Sequence, residues 1–97
     1  MATVLVDGEN VRRSVWPNLS REELSDLAEA WGDENGHDAV IVWEAGETAD
    51  DRIAREVKEL KPPVWVVTSD RELQRRVRPY AERILGGGSF AHELQRR

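Results

Sequence analysis

Val64-Trp65-Val66-Val67-Thr68-Ser69-Asp70-Arg71-Glu72-Leu73 opens as an apolar, mostly β-branched run and turns polar at Thr68. A short continuous apolar run reads as a strand buried on both faces. Beyond it, Leu73, Val77 and Tyr80 recur at helical spacing and are expected to face inward, and Ser69 with Glu72 makes an S-x-x-E capping box. Strand, acid and helix therefore follow one another within a few residues. The stretch predicts a strand feeding a helix, with Asp70 at the carboxyl end of the strand.

Strands and helices alternate outward in both directions, without an internal sequence repeat. Thr48 with Asp51 opens a helix whose stripe is Ala49, Ile53, Val57 and Leu60, and Pro62-Pro63 stops it. Asp38-Ala39-Val40-Ile41-Val42-Trp43 is a strand. Ser20 with Glu23 is another capping box, followed by Leu24, Leu27, Ala28 and Trp31, with Gly32 and Gly36 bracketing the exit. Thr3-Val4-Leu5-Val6 is the first strand. Toward the other end, Ile84-Leu85 is a short strand, Gly86-Gly87-Gly88 a flexible turn, and Ser89 starts a helix through Phe90 and Leu94. Helices of this size between strands require parallel pairing through crossovers. The expectation is one α/β unit over residues 1–97, a three-layer sandwich with a short, mostly parallel four-stranded sheet in the order 2-1-3-4. Ligands of such sheets sit beyond the carboxyl ends of the strands, where the order reverses, here between strands 1 and 3.

Composition removes several function classes. The 97 residues contain no cysteine, so disulfide scaffolds, thiolate metal sites and cysteine nucleophiles are excluded. The two histidines, His37 and His92, cannot build a three-histidine centre, which leaves oxygen ligands for any metal. No stretch reaches the about 18 apolar residues of a membrane span. The opening lacks a basic region before Asp7, so no secretory signal is expected, and the cytoplasm is the expected location. Residues 1–70 carry 16 acids against 7 bases, whereas residues 71–97 carry 3 acids against 7 arginines. That asymmetry suits metal at one place and phosphate at another, or simply solvated charge. The triple glycine lacks the G-K-[ST] of a phosphate-binding loop. A phospho-acceptor receiver domain would need a lysine near the last strand, and none follows Lys61. Ser14, Ser69 and Ser89 lack a histidine base.

Three acids remain. Asp7 follows strand 1, Asp50 lies in the first turn of the helix after strand 2, and Asp70 follows strand 3. Singly, Asp50 and Asp70 read as helix-start acids favoured by the dipole, and Asp7-Gly8 as a common turn in which Gly8 permits a sharp bend. Together they put three carboxylates at one edge of the sheet. Hard divalent cations take such ligands, activate water and neutralise charge growing on a phosphate. Asn10 is placed to add a neutral oxygen or to hold Asp7 through its amide; Glu44, Glu47 and Asp51 are further acids or mere surface charge.

The stretches Val4-Leu5-Val6-Asp7-Gly8-Glu9-Asn10, Gly46-Glu47-Thr48-Ala49-Asp50-Asp51-Arg52-Ile53 and Val66-Val67-Thr68-Ser69-Asp70-Arg71 resemble the YacP-like branch of the NYN domains. These are PIN-like proteins regarded as metal-dependent ribonucleases. The ending Gly86-Gly87-Gly88-Ser89-Phe90 with Leu94 is similar to that branch too. The resemblance implies Mg²⁺ or Mn²⁺ on Asp7, Asp50 and Asp70, with Asn10 supporting them, Glu47 and Asp51 as further ligands or as supporting and capping groups, and Ser69 in support as the cap of its helix. It also implies an RNA backbone held by Arg71, Arg75, Arg76 and Arg78. Two departures accompany it. Val42-Trp43-Glu44-Ala45 runs straight into Gly46-Glu47, so one family strand is missing and a different sheet edge is left for a second copy or a partner protein. No convincing fourth metal-ligand acid follows the last strand. Of the tryptophans, Trp31, Trp43 and Trp65 are expected in the core, and Trp16 in a loop near Asp7 is the candidate for stacking on a base.

The function expected from these residues is metal-dependent endoribonuclease activity. Two alternatives stand beside it: a non-catalytic RNA-binding module of the same fold, and a small interaction domain whose acidic edge meets a basic partner.

Overall fold

The computed structural model describes residues 1–96; Arg97, the last residue of the expected unit, lies outside the described residues. The elements run β1 (Thr3–Asp7), α1 (Gly8–Arg12), α2 (Arg21–Asn35), β2 (Asp38–Val42), α3 (Ala49–Glu59), β3 (Val64–Val67), α4 (Arg71–Val77), β4 (Arg83–Leu85) and α5 (Gly87–Gln95). The sheet order is β2-β1-β3-β4. Every neighbouring pair is parallel, with Leu5 of β1 registered against Val40 on one side and Val66 on the other.

Because β1 is central, alternation along it divides the core. Val4 and Val6 point to one face and pack with Val11 of α1, Leu24 and Trp31 of α2, and Phe90, Ala91 and Leu94 of α5. Leu5 points to the other, among Ile53 and Val57 of α3 and Leu73 and Val77 of α4. Helices thus cover both faces of the sheet. Continuous apolar strands follow from that double burial.

Local chemistry sets the helix ends. Ser20 and Glu23 form the expected reciprocal capping box on α2, and Gly36 ends that helix at φ 72, a left-handed conformation that a β-carbon would strain. Thr48 accepts the Asp51 N–H at 3.1 Å to start α3. Leu60 turns extended after it, just ahead of Pro62-Pro63.

Several expectations are corrected. Helix α4 is capped by Asp70, not Ser69: the Asp70 carboxylate accepts the N–H groups of Glu72 and Leu73 at 2.9 and 3.1 Å. Tyr80 does not face inward. Helix α4 ends at Val77, Pro79 prevents its continuation, and Tyr80 stands 50% exposed. Gly87 and Gly88 form the first turn of α5 rather than a flexible turn. Gly8 has no left-handed φ; its missing β-carbon makes room for Trp43, whose ring carbons would stand 2.5 Å from one. Helix α1 was not foreseen, and Asp7 belongs to β1 itself.

Candidate metal and nucleic-acid site

Asp7 ends the central strand and is only 5% exposed. Its Oδ2 accepts the Thr68 hydroxyl at 3.0 Å, and the Asn10 backbone N–H supports it as well. Burial raises its pKa above the ordinary carboxylate value; the Thr68 hydrogen bond opposes the rise, and Asp50 and Asp70 add to it. Asp50, in the first turn of α3, is also raised, by partial burial and then by Asp70; Arg76 opposes this, while Asp51 and Glu44 add to it. The three acids therefore lie within electrostatic reach of one another at the carboxyl ends of β1 and β3. None of the three forms an ion pair among the described residues.

Thr68 is the residue that sequence reasoning missed. It is fully buried, donates to Asp7, and accepts the Asp70 N–H at 3.1 Å. One hydroxyl thus ties two of the three acids together. Its signal was its position, between the last apolar residue of a strand and an acid.

A second set of contacts braces the edge. Asn10 Oδ1 accepts the Ser69 N–H at 2.8 Å, so the side chain holds the β3–α4 turn instead of Asp7. Ser69 Oγ accepts the Gly87 N–H at 2.8 Å, which fastens that turn to α5. A β-carbon on Gly87 would stand 2.5 Å from Asn10 Oδ1 and 3.0 Å from Ser14 Oγ, which accounts for glycine there.

The remaining predicted residues divide. Glu47 is ion-paired with Arg55 at 2.6 Å and Asp51 with Arg76 at 3.1 Å, so both acids engage arginines. Arg75 pairs with Glu72 on its own helix. Arg71 and Arg78 have no ion-pair partner among the described residues, and with Arg75 they fall at i, i+4 and i+7, one side of α4. Trp31 is core; Trp43 and Trp65 are partly buried against it; Trp16 is 89% exposed.

Carboxylates within electrostatic reach of one another, two of them raised in pKa and none ion-paired among the described residues, are the donor type of a hard divalent ion. Among the described residues, however, no group of three His, Cys, Asp or Glu side chains is gathered closely enough to hold an ion. The donor types fit a metal; the spacing in this conformation is wider than a closed site. No helix is long and apolar enough to cross a membrane among the described residues.

Residues 28–97 match the YacP-like NYN domain. The fold is similar to the crystal structure of Rae1 (YacP) from Bacillus subtilis, in its W164L mutant, with a TM-score of 0.80 at 21% sequence identity. That match covers 100% of this chain and 79% of the other. A search of curated proteins returns no match. NYN and PIN-like domains are typically nucleases and generally use divalent metals.

Proposed function

The chain belongs to the YacP-like NYN domain family, and from that premise we propose that it is a metal-dependent endoribonuclease. Asp7, Asp50 and Asp70 would hold Mg²⁺ or Mn²⁺, and RNA in the cytoplasm is the substrate. The observation that supports this reading is that Asp7, Asp50 and Asp70, none of them ion-paired among the described residues, lie within electrostatic reach of one another, in a family whose members are typically nucleases. A bound divalent cation would supply an activated water and charge neutralisation at the phosphate.

The protein's own residues prepare for this. Thr68 fixes the Asp7 carboxylate and, through the Asp70 N–H, the start of α4. Asp70 keeps one oxygen on the first turn of α4, which orients the carboxyl group. Asn10 and Ser69 hold the turn that carries Asp70. Arg71, Arg75 and Arg78 present positive charge along α4 for the phosphodiester backbone, and counterion release would make binding salt-dependent. Trp16 is available to stack on a base.

The test is cleavage of labelled single-stranded and structured RNAs with Mn²⁺, with Mg²⁺ and with EDTA. Asp70→Asn is the matched variant, because asparagine caps a helix as well as aspartate and spares the fold. Metal-dependent cutting by the wild type, absent from Asp70→Asn, is expected. Equal cutting by a clean preparation of the variant would falsify the reading.

One observation favours the second reading, a non-catalytic RNA-binding module: the acids do not close into an ion-sized cluster among the described residues. It predicts salt-sensitive RNA binding, weakened in Arg75→Ala, without cutting at any metal concentration.

A further inference from the structure

A groove of about 570 Å³ runs between α3 and α4, within the range of roughly 300–1,000 Å³ typical of ligand clefts. Its walls carry Arg55, Lys58, Arg75 and Arg76 against Asp51 and Glu59, with Glu47, Glu56 and Glu72 paired to the arginines from beside the groove. Asp51, at its rim, adjoins Asp50 in the chain, so the groove reaches the acidic edge. Tyr80 forms part of the wall, half exposed, with Lys58 Nζ 5.4 Å from its ring centroid. A cleft on the opposite side, beside α2 and β2, presents Glu29, Asp33 and Asp38 and would repel phosphate.

We propose that the α3–α4 groove is a single-stranded RNA subsite in which the Tyr80 ring stacks on a base and Lys58, Arg55 and Arg76 receive the flanking phosphates. The proposal rests on the reading of the chain as an RNA-acting protein and adds where, and through which chemistry, the strand lies. Tyr80 sits after a helix that Pro79 terminates, at a position where burial would have hidden it. An exposed aromatic in a cationic groove joins the two attractions that single strands use, stacking and backbone charge. Lys58 covers the ring in the free protein; an arriving base takes its place, and the released ammonium meets the adjoining phosphate. The arginines are exchangeable in the same sense. Arg55, Arg75 and Arg76 are held by ion pairs at the surface, Arg55 with Glu47, Glu56 and Glu59, and such exposed pairs are weak and yield to a phosphate.

The experiment is a titration of the full chain with short labelled oligouridine in EDTA, where no cutting interferes, over a range of salt. Tyr80→Ala is expected to weaken binding about 5- to 150-fold, the effect of one lost base stack, and Tyr80→Phe to restore it. Lys58→Gln is expected to weaken binding and to flatten the salt slope by about 0.7, one phosphate contact on a single strand. Thermal melting of each variant checks that the fold is intact. Binding by Tyr80→Ala equal to wild type overturns the proposal, and so does failure of Tyr80→Phe to recover. Binding of polyglutamate in place of RNA assigns the groove to an acidic protein and overturns it as well. The two readings fail separately. If wild type cuts RNA while Tyr80→Ala binds normally, the groove alone is refuted; if Asp70→Asn cuts normally while Tyr80 governs binding, the catalytic reading alone is refuted.

Discussion

The two faces of the sheet are built from different material. The face under α1, α2 and α5 is aromatic: Trp31 meets Phe90 edge-on at 5.0 Å and stacks on His37, which in turn touches Trp65. The buried cluster under α3 and α4 is aliphatic, and two helices of 11 and 7 residues cover it, where three helices, α2 with 15 residues the longest, cover the other face. Aromatic burial removes more surface from water per residue than aliphatic burial does. The thick face therefore anchors the domain. The thin face carries Asp50, Asp51, Asp70 and the arginines of α4, where charge can be exchanged without opening the core.

The largest test of this difference is a pair of truncations. Phe90→Ala on the thick face is expected to cost about 3–5 kcal/mol. Leu73→Ala on the thin face is expected to cost nearer the lower end of about 2–5 kcal/mol, since a short helix collapses more readily onto a cavity. Urea denaturation of both variants measures it; a larger loss for Leu73→Ala would invert the comparison.

Neighbouring glycines in α5 sharpen it further. Gly87→Ala forces a methyl group against Asn10 and is expected to cost about 1–3 kcal/mol of overpacking. Gly88→Ala has nothing within 4 Å and is expected to stabilise by about 0.4–1 kcal/mol. Opposite signs in one melting experiment would tie the thick face to the site by contact, not by composition.

The acids give a pH signature. Asp7 has a raised pKa in the fold, so its protonated form contributes stability that is fully present below about 3.8 and is lost as pH rises through the folded value. Glu9 and Glu23, whose pKa values are lowered by Arg12 and by the Ser20 cap, contribute in the opposite sense: their share is present above 4.5 and lost on acidification. Asp7→Asn in EDTA is therefore expected to melt higher than wild type at neutral pH, the gap closing toward acid. Melting curves from pH 3 to pH 8 check this, and an unchanged gap would detach the effect from Asp7 titration. The smallest effect belongs to Asp51→Asn, which breaks the exposed pair with Arg76 and is expected to change stability by about 0–1 kcal/mol.

The strands were legible because β1 and β3 are covered on both faces and so read as unbroken apolar runs. Helix α2 was legible because Ser20 and Glu23 cap it reciprocally. Ser69 and Asp70 show where local pattern stops being sufficient. Both residue types cap helices, and the S-x-x-E spacing selects Ser69; the turn instead gives Asp70 that role and commits Ser69 to Gly87, far along the chain. The arginine partners of Glu47 and Asp51 were invisible for the same reason, since they depend on how helix surfaces meet. Pro79 was a readable stop signal, and weighing it against the periodicity of Leu73, Val77 and Tyr80 would have placed Tyr80 outside the helix. Helix α1 is too short for periodicity to register, with Val11 its single large buried side chain.

The braces from Asn10 to Ser69 and from Ser69 to Gly87 also have a meaning in time. They join the first helix made to the fifth, so the turn bearing Asp70 has its full support only after Gly87 has been synthesised. At typical translation rates that is roughly 4–15 s after Asn10. Only in the last part of that interval, the roughly 1–3 s between Asp70 and Gly87, does the nascent chain carry all three acids without the brace that α5 supplies to the Asp70 turn.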